Sequence, residues 1–194
     1  MVTPNRGAKF GVVADIIKLA NPVFVLLAVL LPIGAYIYAF NFGSLALQNY
    51  VHIMTGGLWT GIDLFMGFVL GPVLGGMDPK DRAGVFKRLI PRMTFLMPVL
   101  AGVTGTSGYQ LAERLGMFSL ANPWVLAALV ITGILAVQGF GVLLPNEIRI
   151  FRQLLSEAPD IEKISRLGMR NARLGGSQGI FQIAIIFVMA NIRF

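Results

Sequence analysis

The chain has 194 residues, of which 56% are hydrophobic and only 13% are charged. A soluble domain carries about 25% charged residues, so this composition indicates that lipid surrounds most of the chain. The formal net charge is +7, but lysine and arginine cluster between apolar runs, as in cytoplasmic membrane loops, which argues against nucleic-acid binding. The sequence has no cysteine, which excludes disulfides and thiolate metal sites. We expect no cleaved signal peptide.

The first part of the chain predicts an interfacial helix followed by two membrane spans. Residues 9–19 place apolar side chains at helical spacing between lysines, which is typical of a helix on the membrane surface. The first span is predicted over about 21–40, with Asn21 as its N-cap, Pro22 in the first helical position and a kink at Pro32. The second span is predicted over about 50–74, before a turn rich in lysine and arginine.

Three further spans are predicted over about 89–112, 123–144 and 174–192. The fourth opens on Ala-Asn-Pro, as the first does, and we interpret this as one helix start signal used twice and not as an internal repeat. Residues 146–173 are expected to form a cytoplasmic amphipathic segment broken at Pro159. The last run reaches spanning length only if the polar stretch at 175–178 is counted, so the alternative is a tail on the membrane surface.

The positions of the cations predict the orientation of these spans. Lysine and arginine precede the first span and follow the second and the fourth, whereas the opposite side holds only Arg114 and Arg193. Because cytoplasmic loops carry the excess of these residues, the sequence predicts five spans with the N-terminus in the cytoplasm. The expected fold class is all-α, a transmembrane helical bundle in the lipid bilayer that forms one membrane domain over 1–194.

The second span carries the polar residues that are the best candidates for a site. At about 100° per residue, His52, Trp59 and Asp63 fall on one stripe of the helix, together with Gly56 and Met66. His52 is expected near the outer end and Asp63 past the midplane, about 16 Å away along the axis. The two side chains therefore line one face without touching.

Asp63 admits a functional and a structural interpretation. A carboxylate at this depth costs a few kcal/mol to insert, on the order of the values from insertion scales, so it usually faces the bundle interior and has a partner. It is either an ion or proton site, or the counter-charge of a bound group, or a structural contact. As a structural contact it would bond Gln138 at similar depth, or Thr94 or Thr104. A further alternative is a neutral acid, because desolvation favours the protonated form.

His52 is either a haem or metal ligand or an interfacial histidine bonded to water or a loop carbonyl. The methionines of the spans offer soft thioether ligands that suit Cu(I), although methionine also fills cores. Trp59 has the pattern of a packing residue and is also a candidate cofactor contact. Glycine pairs such as Gly57 with Gly61 and Gly67 with Gly71 predict close helix packing and an oligomer.

A resemblance to a known group adds to this interpretation. A histidine at the outer end of a span, followed by "GGLWTG", resembles the His…Trp-x-Gly helix of small bacterial membrane proteins related to the copper-resistance D family. The ending "FQIAIIFVMANIR" is similar to their last helix, and the resemblance covers about residues 46–194 and matches His52, Trp59 and Gly61. It implies a helical bundle in a bacterial inner membrane, with copper handling or haem b binding in some members of the group. Haem-binding relatives offer a second histidine that this chain lacks, which excludes a bis-histidine haem within one chain.

Three functions stay open at this point. A redox or metal-handling protein would use His52 as a haem or copper ligand, with Met54 or Met189, or the His52 of a second copy, as a further ligand. An ion or proton conductor would use Asp63, with Gln138 at similar depth. The third function is a non-catalytic subunit of a larger membrane complex. A hydrolase or NTPase is not expected, because the chain has no Walker loop and no Gly-x-Ser-x-Gly motif.

Overall fold

The computed structural model describes residues 9–192, and the side chains from residue 14 onward. This part of the chain forms six helices and no strand: α1 Lys9–Ala20, α2 Pro22–Phe42, α3 Leu45–Gly75, α4 Pro79–Arg114, α5 Pro123–Leu154 and α6 Ile161–Asn191. The five helices α2–α6 are long and apolar enough to cross a membrane. The expected all-α bundle with five spans is therefore confirmed, and the chain is a multi-pass membrane protein.

Both Asn-Pro pairs begin a helix, as the sequence predicts. The Asn21 side chain accepts a hydrogen bond from the Val23 amide at 3.0 Å, and Asn122 accepts one from the Trp124 amide at 2.9 Å. Each bond satisfies one of the amides that have no partner in the first turn of a helix. Asn21 adopts a left-handed backbone, with φ of 73°, at the sharp junction between α1 and α2.

The segment predicted to be cytoplasmic and amphipathic, 146–173, breaks at 155–160, which includes the predicted break at Pro159. Its first part continues α5 to Leu154, and its second part belongs to α6, which begins at Ile161 after Asp160 caps the Lys163 amide at 2.9 Å. The alternative of a short tail on the membrane surface is therefore wrong, since the last apolar run is the distal part of a 31-residue helix. Helix α4 begins at Pro79, so the predicted span 89–112 lies within a longer helix.

Helix α6 lies at the centre of the bundle and packs against α3, α4 and α5. Its contact with α3 depends on glycine, because a Cβ placed on Gly67 would lie 2.1 Å from the Cα of Gly176. The predicted close packing is therefore confirmed at Gly67. Gly57 and Gly61 have no atom within 4 Å of such a Cβ, and this pair makes no close helix contact within the described chain.

Two apolar clusters occupy opposite ends of the bundle. We call the end with the connections 76–78 and 155–160 the inner end, and the end with the connections 43–44 and 115–122 the outer end. The inner cluster contains Leu74, Ala83, Phe86, Ile90, Ile150, Phe151, Ile164, Leu167 and Met169, and the outer cluster contains Ala39, Phe40, Val51, Val103 and Leu111. Between them lies a layer rich in glycines and buried polar side chains.

The outer surface of the long helices is apolar, whereas the polar side chains of the middle layer are buried inside the bundle. Leu31, Val137 and Phe187 are 63%, 69% and 63% exposed, and many further leucines and isoleucines of the five long helices are exposed as well. A soluble protein rarely leaves apolar surface of this extent in contact with water. The distribution fits a bundle that is surrounded by lipid.

Candidate functional site

Asp63 is enclosed at the contact between α3 and α6. Its side chain is only 3% exposed, and its Oδ2 accepts a hydrogen bond from Gln182 Nε2 at 2.8 Å. Its Oδ1 lies against Gly175, where a Cβ would come within 3.1 Å. Within the described chain no lysine or arginine contacts this carboxylate. Asp63 is thus a buried acid whose well-formed partner is a neutral amide.

The surroundings of Asp63 contain more hydrogen-bond acceptors than donors. The indole of Trp59, one turn earlier on α3, lies near the carboxylate as a weaker second donor, without the alignment of a full hydrogen bond. Gln182 is 2% exposed, and its own Oε1 has no donor among the described residues. A buried acceptor without a partner costs about 1–3 kcal/mol. The pair Asp63–Gln182 therefore offers a place for a positively charged group or a proton.

None of the expected structural partners contacts Asp63. Gln138 Nε2 donates to Ser177 Oγ at 3.1 Å, and the Thr94 hydroxyl is 2.6 Å from Glu147 Oε2. The Thr104 hydroxyl is buried and has no hydrogen-bond partner among the described residues. The predicted contacts of Asp63 with Gln138, Thr94 and Thr104 are therefore wrong, because α6 packs on α3 at this depth and supplies the partner itself.

Gln182 is the site residue that the sequence interpretation missed. It belongs to the last apolar run, which was the weakest of the predicted spans. One signal was available: Gln178 and Gln182 stand four residues apart in that run and so share a helix face. Both side chains are buried, at 3% and 2% exposed, and both bond across a helix interface.

Two widened helical turns surround the polar layer. A π-helical segment at Phe65–Leu70 interrupts α3 just after Asp63, and another at Gly139–Leu143 interrupts α5 directly after Gln138. Amides of α6 reach backbone carbonyls beside the second segment, since Gln178 Nε2 donates to the Leu135 carbonyl at 3.1 Å. Such π turns in long helices are frequent at functional sites, because they change the helix face that follows them.

His52 is held by α4 on the outer side of the same α3 face. Its Nδ1 lies 3.0 Å from Ser107 Oγ and 3.1 Å from the Thr104 carbonyl. Ser107 itself donates to the Thr104 carbonyl at 3.1 Å, so Nδ1 carries the hydrogen that the serine oxygen accepts. The neutral ring then has its lone pair on Nε2. The partner carbonyl belongs to a helix and not to a loop.

The two methionines proposed as further ligands differ in their placement. Met54 is 43% exposed and lies on the opposite side of α3, since two residues correspond to about 200° of helix rotation. Met189 is half-buried in the last turn of α6. Residues 9–192 contain no group of three or more histidine, aspartate or glutamate side chains that could hold a metal ion.

Comparison of the chain with protein-family models, curated proteins and solved structures found no match. The geometry itself defines two chemical possibilities. The Asp63–Gln182 pair can accept a proton or a small cation, and His52 Nε2 can donate a lone pair to a metal.

Proposed function

We propose that the protein conducts protons or small monovalent cations across a membrane, with Asp63 as the intramembrane site and Gln182 as its partner. The observation that carries this proposal is the donor deficit around Asp63. The buried carboxylate has one well-formed neutral donor, and the Gln182 Oε1 beside it has none. Polar groups inside a membrane bundle commonly mark the path of an ion or a proton.

Electrostatics explains why a charge-neutralising species suits this position. A buried carboxylate without a cation costs several kcal/mol in desolvation, on the order of the penalty for any ion taken out of water. One amide dipole offsets a part of that cost. A proton on the carboxylate, or a small cation between Asp63 and the free Gln182 oxygen, would offset the rest.

We also propose that the N-terminus lies in the cytoplasm and that the host membrane is a bacterial inner membrane. The turn at 76–78 and the connection at 155–160 lie at the inner end, flanked by Lys80, Arg82, Arg152 and Lys163. This distribution favours a cytoplasmic inner end. Reporter fusions after Asp78 and after Glu157 are expected to be cytoplasmic, and one after Glu113 external. A cytoplasmic signal from the Glu113 fusion would overturn the orientation.

The test of conduction uses Asp63→Asn in proteoliposomes. The asparagine keeps the shape of the side chain and removes its charge, so the bundle is expected to fold while proton or cation flux falls to the level of empty vesicles. Flux of protons and of Na⁺ or K⁺ is measured separately, together with thermal unfolding of the same preparation in detergent. Unchanged flux through a well-folded variant would exclude conduction through Asp63.

A second candidate function, redox chemistry or metal handling, is supported by the orientation of His52. Metal-bound histidines usually donate their other ring hydrogen to an oxygen, which fixes the tautomer, and Ser107 and Thr104 provide that arrangement here. His52 would supply one ligand to haem b or copper. We propose Met189 or the His52 of a second copy as the other, in line with the resemblance to the copper-resistance D relatives.

An absorption spectrum and a metal analysis of the natively purified protein test this second function. A Soret band or stoichiometric copper that disappears in His52→Ala, with the protein still inserted, would support it. Native protein that contains neither haem nor copper would exclude it.

A further inference from the structure

A groove with a volume of about 320 Å³ lies on the surface of the bundle between α3 and α6. Its lining residues are Gly67, Gly71, Pro72 and Gly75 of α3 and Met169 and Arg173 of α6. The α3 wall is low because glycine has no side chain, and a Cβ placed on Gly75 would meet no atom within 4 Å. The groove begins where Gly67 touches Gly176, and it runs from this contact toward the inner end.

Arg173 is exposed and supplies the charge in this groove. The described arginines that donate a side-chain hydrogen bond are Arg82, Arg92, Arg114 and Arg149, and Arg173 is not among them. The N–H donors of its guanidinium are therefore available to a ligand. A guanidinium can bind two oxygens of one phosphate at once. The groove thus combines an anion-binding group with an apolar wall.

Two further arginines lie on the same face of α6. Arg166 and Arg170 precede Arg173 at a spacing that places all three side chains on one side of the helix, and all three are exposed. The segment 166–173 contains no acidic residue. Arginines clustered beside a membrane span attract anionic lipid headgroups. They also repel the choline or ethanolamine group of a zwitterionic lipid, so the charge at this level favours an anionic one.

The groove crosses the level at which the hydrocarbon core ends. With Asn191, the last residue of α6, at the outer boundary, Gly176 lies about 22 Å deep and Met169 about 33 Å deep. The hydrocarbon core is about 30 Å thick, so Arg173, between these two residues, lies at the level of lipid phosphates. On the same helix face, the exposed side chain two turns further out is the apolar Ile180. The helix face therefore changes from charged to apolar where a lipid does.

We propose that this groove binds an anionic phospholipid. Its phosphate would bind Arg173, and its glycerol and upper acyl chain would pack against Gly67, Gly71 and Pro72. Basic pockets between membrane helices commonly hold the headgroups of anionic lipids. The absent side chains of the glycines provide the space, and the guanidinium provides the charge. The site does not include Asp63, so the inference goes beyond the proposed conduction and does not depend on it.

A second patch with two arginines lacks this construction. It is lined by Val85, Arg88, Leu89 and Arg92, which all belong to α4, so no neighbouring helix forms a second wall. The Arg92 guanidinium also donates to the Arg88 carbonyl, which uses part of its donor capacity. This patch serves as the comparison site, because it carries similar charge without the glycine groove.

The test measures lipid binding to the full chain by native mass spectrometry. The protein is purified in a neutral detergent, stripped of lipid and mixed with dioleoyl-phosphatidylglycerol or, separately, with dioleoyl-phosphatidylcholine. Arg173→Gln removes the charge, and Gly75→Leu fills the groove, since a Cβ there would meet no atom within 4 Å. The matched controls are Arg88→Gln and Gly61→Leu, because Gly61 is also an exposed glycine of α3 with open space at its Cβ. Thermal unfolding shows whether each variant is folded.

We expect the native protein to retain one phosphatidylglycerol and to bind phosphatidylcholine at least about tenfold more weakly. Arg173→Gln should weaken phosphatidylglycerol binding about fivefold, which corresponds to the roughly 1 kcal/mol that one arginine contributes at an anionic membrane surface. Gly75→Leu should weaken it by about tenfold or more, because the leucine occupies the space of the headgroup. Both controls should bind as the native protein does.

Equal phosphatidylglycerol affinity of the native protein and Arg173→Gln would overturn the site, whether or not Gly75→Leu folds. Loss of binding in Arg88→Gln alone would place the lipid on α4. Displacement of the lipid by an equal concentration of inorganic phosphate would show a bare anion site. A lipid-free dimer that Gly75→Leu dissociates would assign the groove to a second copy of the chain. None of these measurements involves ion flux, so they stand apart from the test of Asp63.

Discussion

The outer and inner halves of α3 each bury a polar side chain, but these side chains differ in how well their hydrogen-bond partners satisfy them. Both carry a polar side chain on the face that meets a neighbouring helix, His52 toward α4 and Asp63 toward α6. His52 has its Nδ1 bonded by two oxygens of α4, and the Thr55 hydroxyl near it bonds the Val51 carbonyl of its own helix. Asp63 meets one aligned donor and an amide oxygen that has no donor at all. The candidate ion site differs from the packed contact because a carboxylate there lies beside an amide oxygen without a donor, whereas the imidazole has both of its oxygen partners on one nitrogen.

The largest effect is expected from a single methyl group on the inner half. Gly67→Ala places a Cβ 2.1 Å from the Cα of Gly176, and neither backbone atom can move aside without separating α3 from α6. We expect the free energy of unfolding in detergent to fall by about 3 kcal/mol, the upper part of the range for overpacked positions. Gly61→Ala is the matched control, because its Cβ would meet no atom within 4 Å. Equal stability of the two variants would show that the inner half does not depend on this contact.

An intermediate effect is expected at the partner of Asp63. Gln182→Leu removes the donor to Oδ2 and leaves a buried carboxylate without it, which should lower the free energy of unfolding by about 2 kcal/mol. Replacing both partners, Asp63→Leu with Gln182→Leu, should recover most of that loss, because no unsatisfied group remains. A double-mutant cycle by denaturant unfolding measures the coupling. Additive effects of the two substitutions would contradict the pair. Gln48→Leu, another buried glutamine that bonds only the Gly43 carbonyl, serves as the control.

The smallest effect is expected on the outer half. Ser107→Ala removes one of the two oxygens at His52 Nδ1, but the Thr104 carbonyl at 3.1 Å remains as acceptor. The free energy of unfolding should fall by about 1 kcal/mol or less, and flux in proteoliposomes should stay unchanged. A Ser107→Ala variant that loses flux while staying folded would place the outer half in the conduction path, and the contrast between the two halves would then be wrong.

Short sequence signals correctly predicted where helices begin and how many helices are long enough to span a membrane. The Asn-Pro pairs predicted two helix starts, and the length of the apolar runs predicted five spans. The break at Pro159 was also predicted, but the sequence did not show that the segment 146–173 continues the helices α5 and α6, because charged residues follow a span whether the helix ends there or extends beyond the lipid. The stripe of α3 correctly placed Asp63 on an interior face. Its partner could not be predicted, because periodicity gives the direction of a side chain but not which helix packs against it.

The lengths of the helices have a consequence for the forces that hold the molecule together. Helix α4 has 36 residues, about 54 Å, whereas the hydrocarbon core of a bilayer is about 30 Å thick. We infer that the inner apolar cluster, with Phe86, Ile150 and Ile164, lies largely beyond the lipid, because the segments around it, 80–92 and 149–166, are rich in charged residues. There the expulsion of water drives packing, so that end weakens in urea and on cooling, as a soluble domain does. Within the bilayer that driving force is absent, and close contacts such as Gly67 against Gly176 take its place. One continuous helical bundle is thus stabilised by the hydrophobic effect at its inner end and by close helix packing within the bilayer.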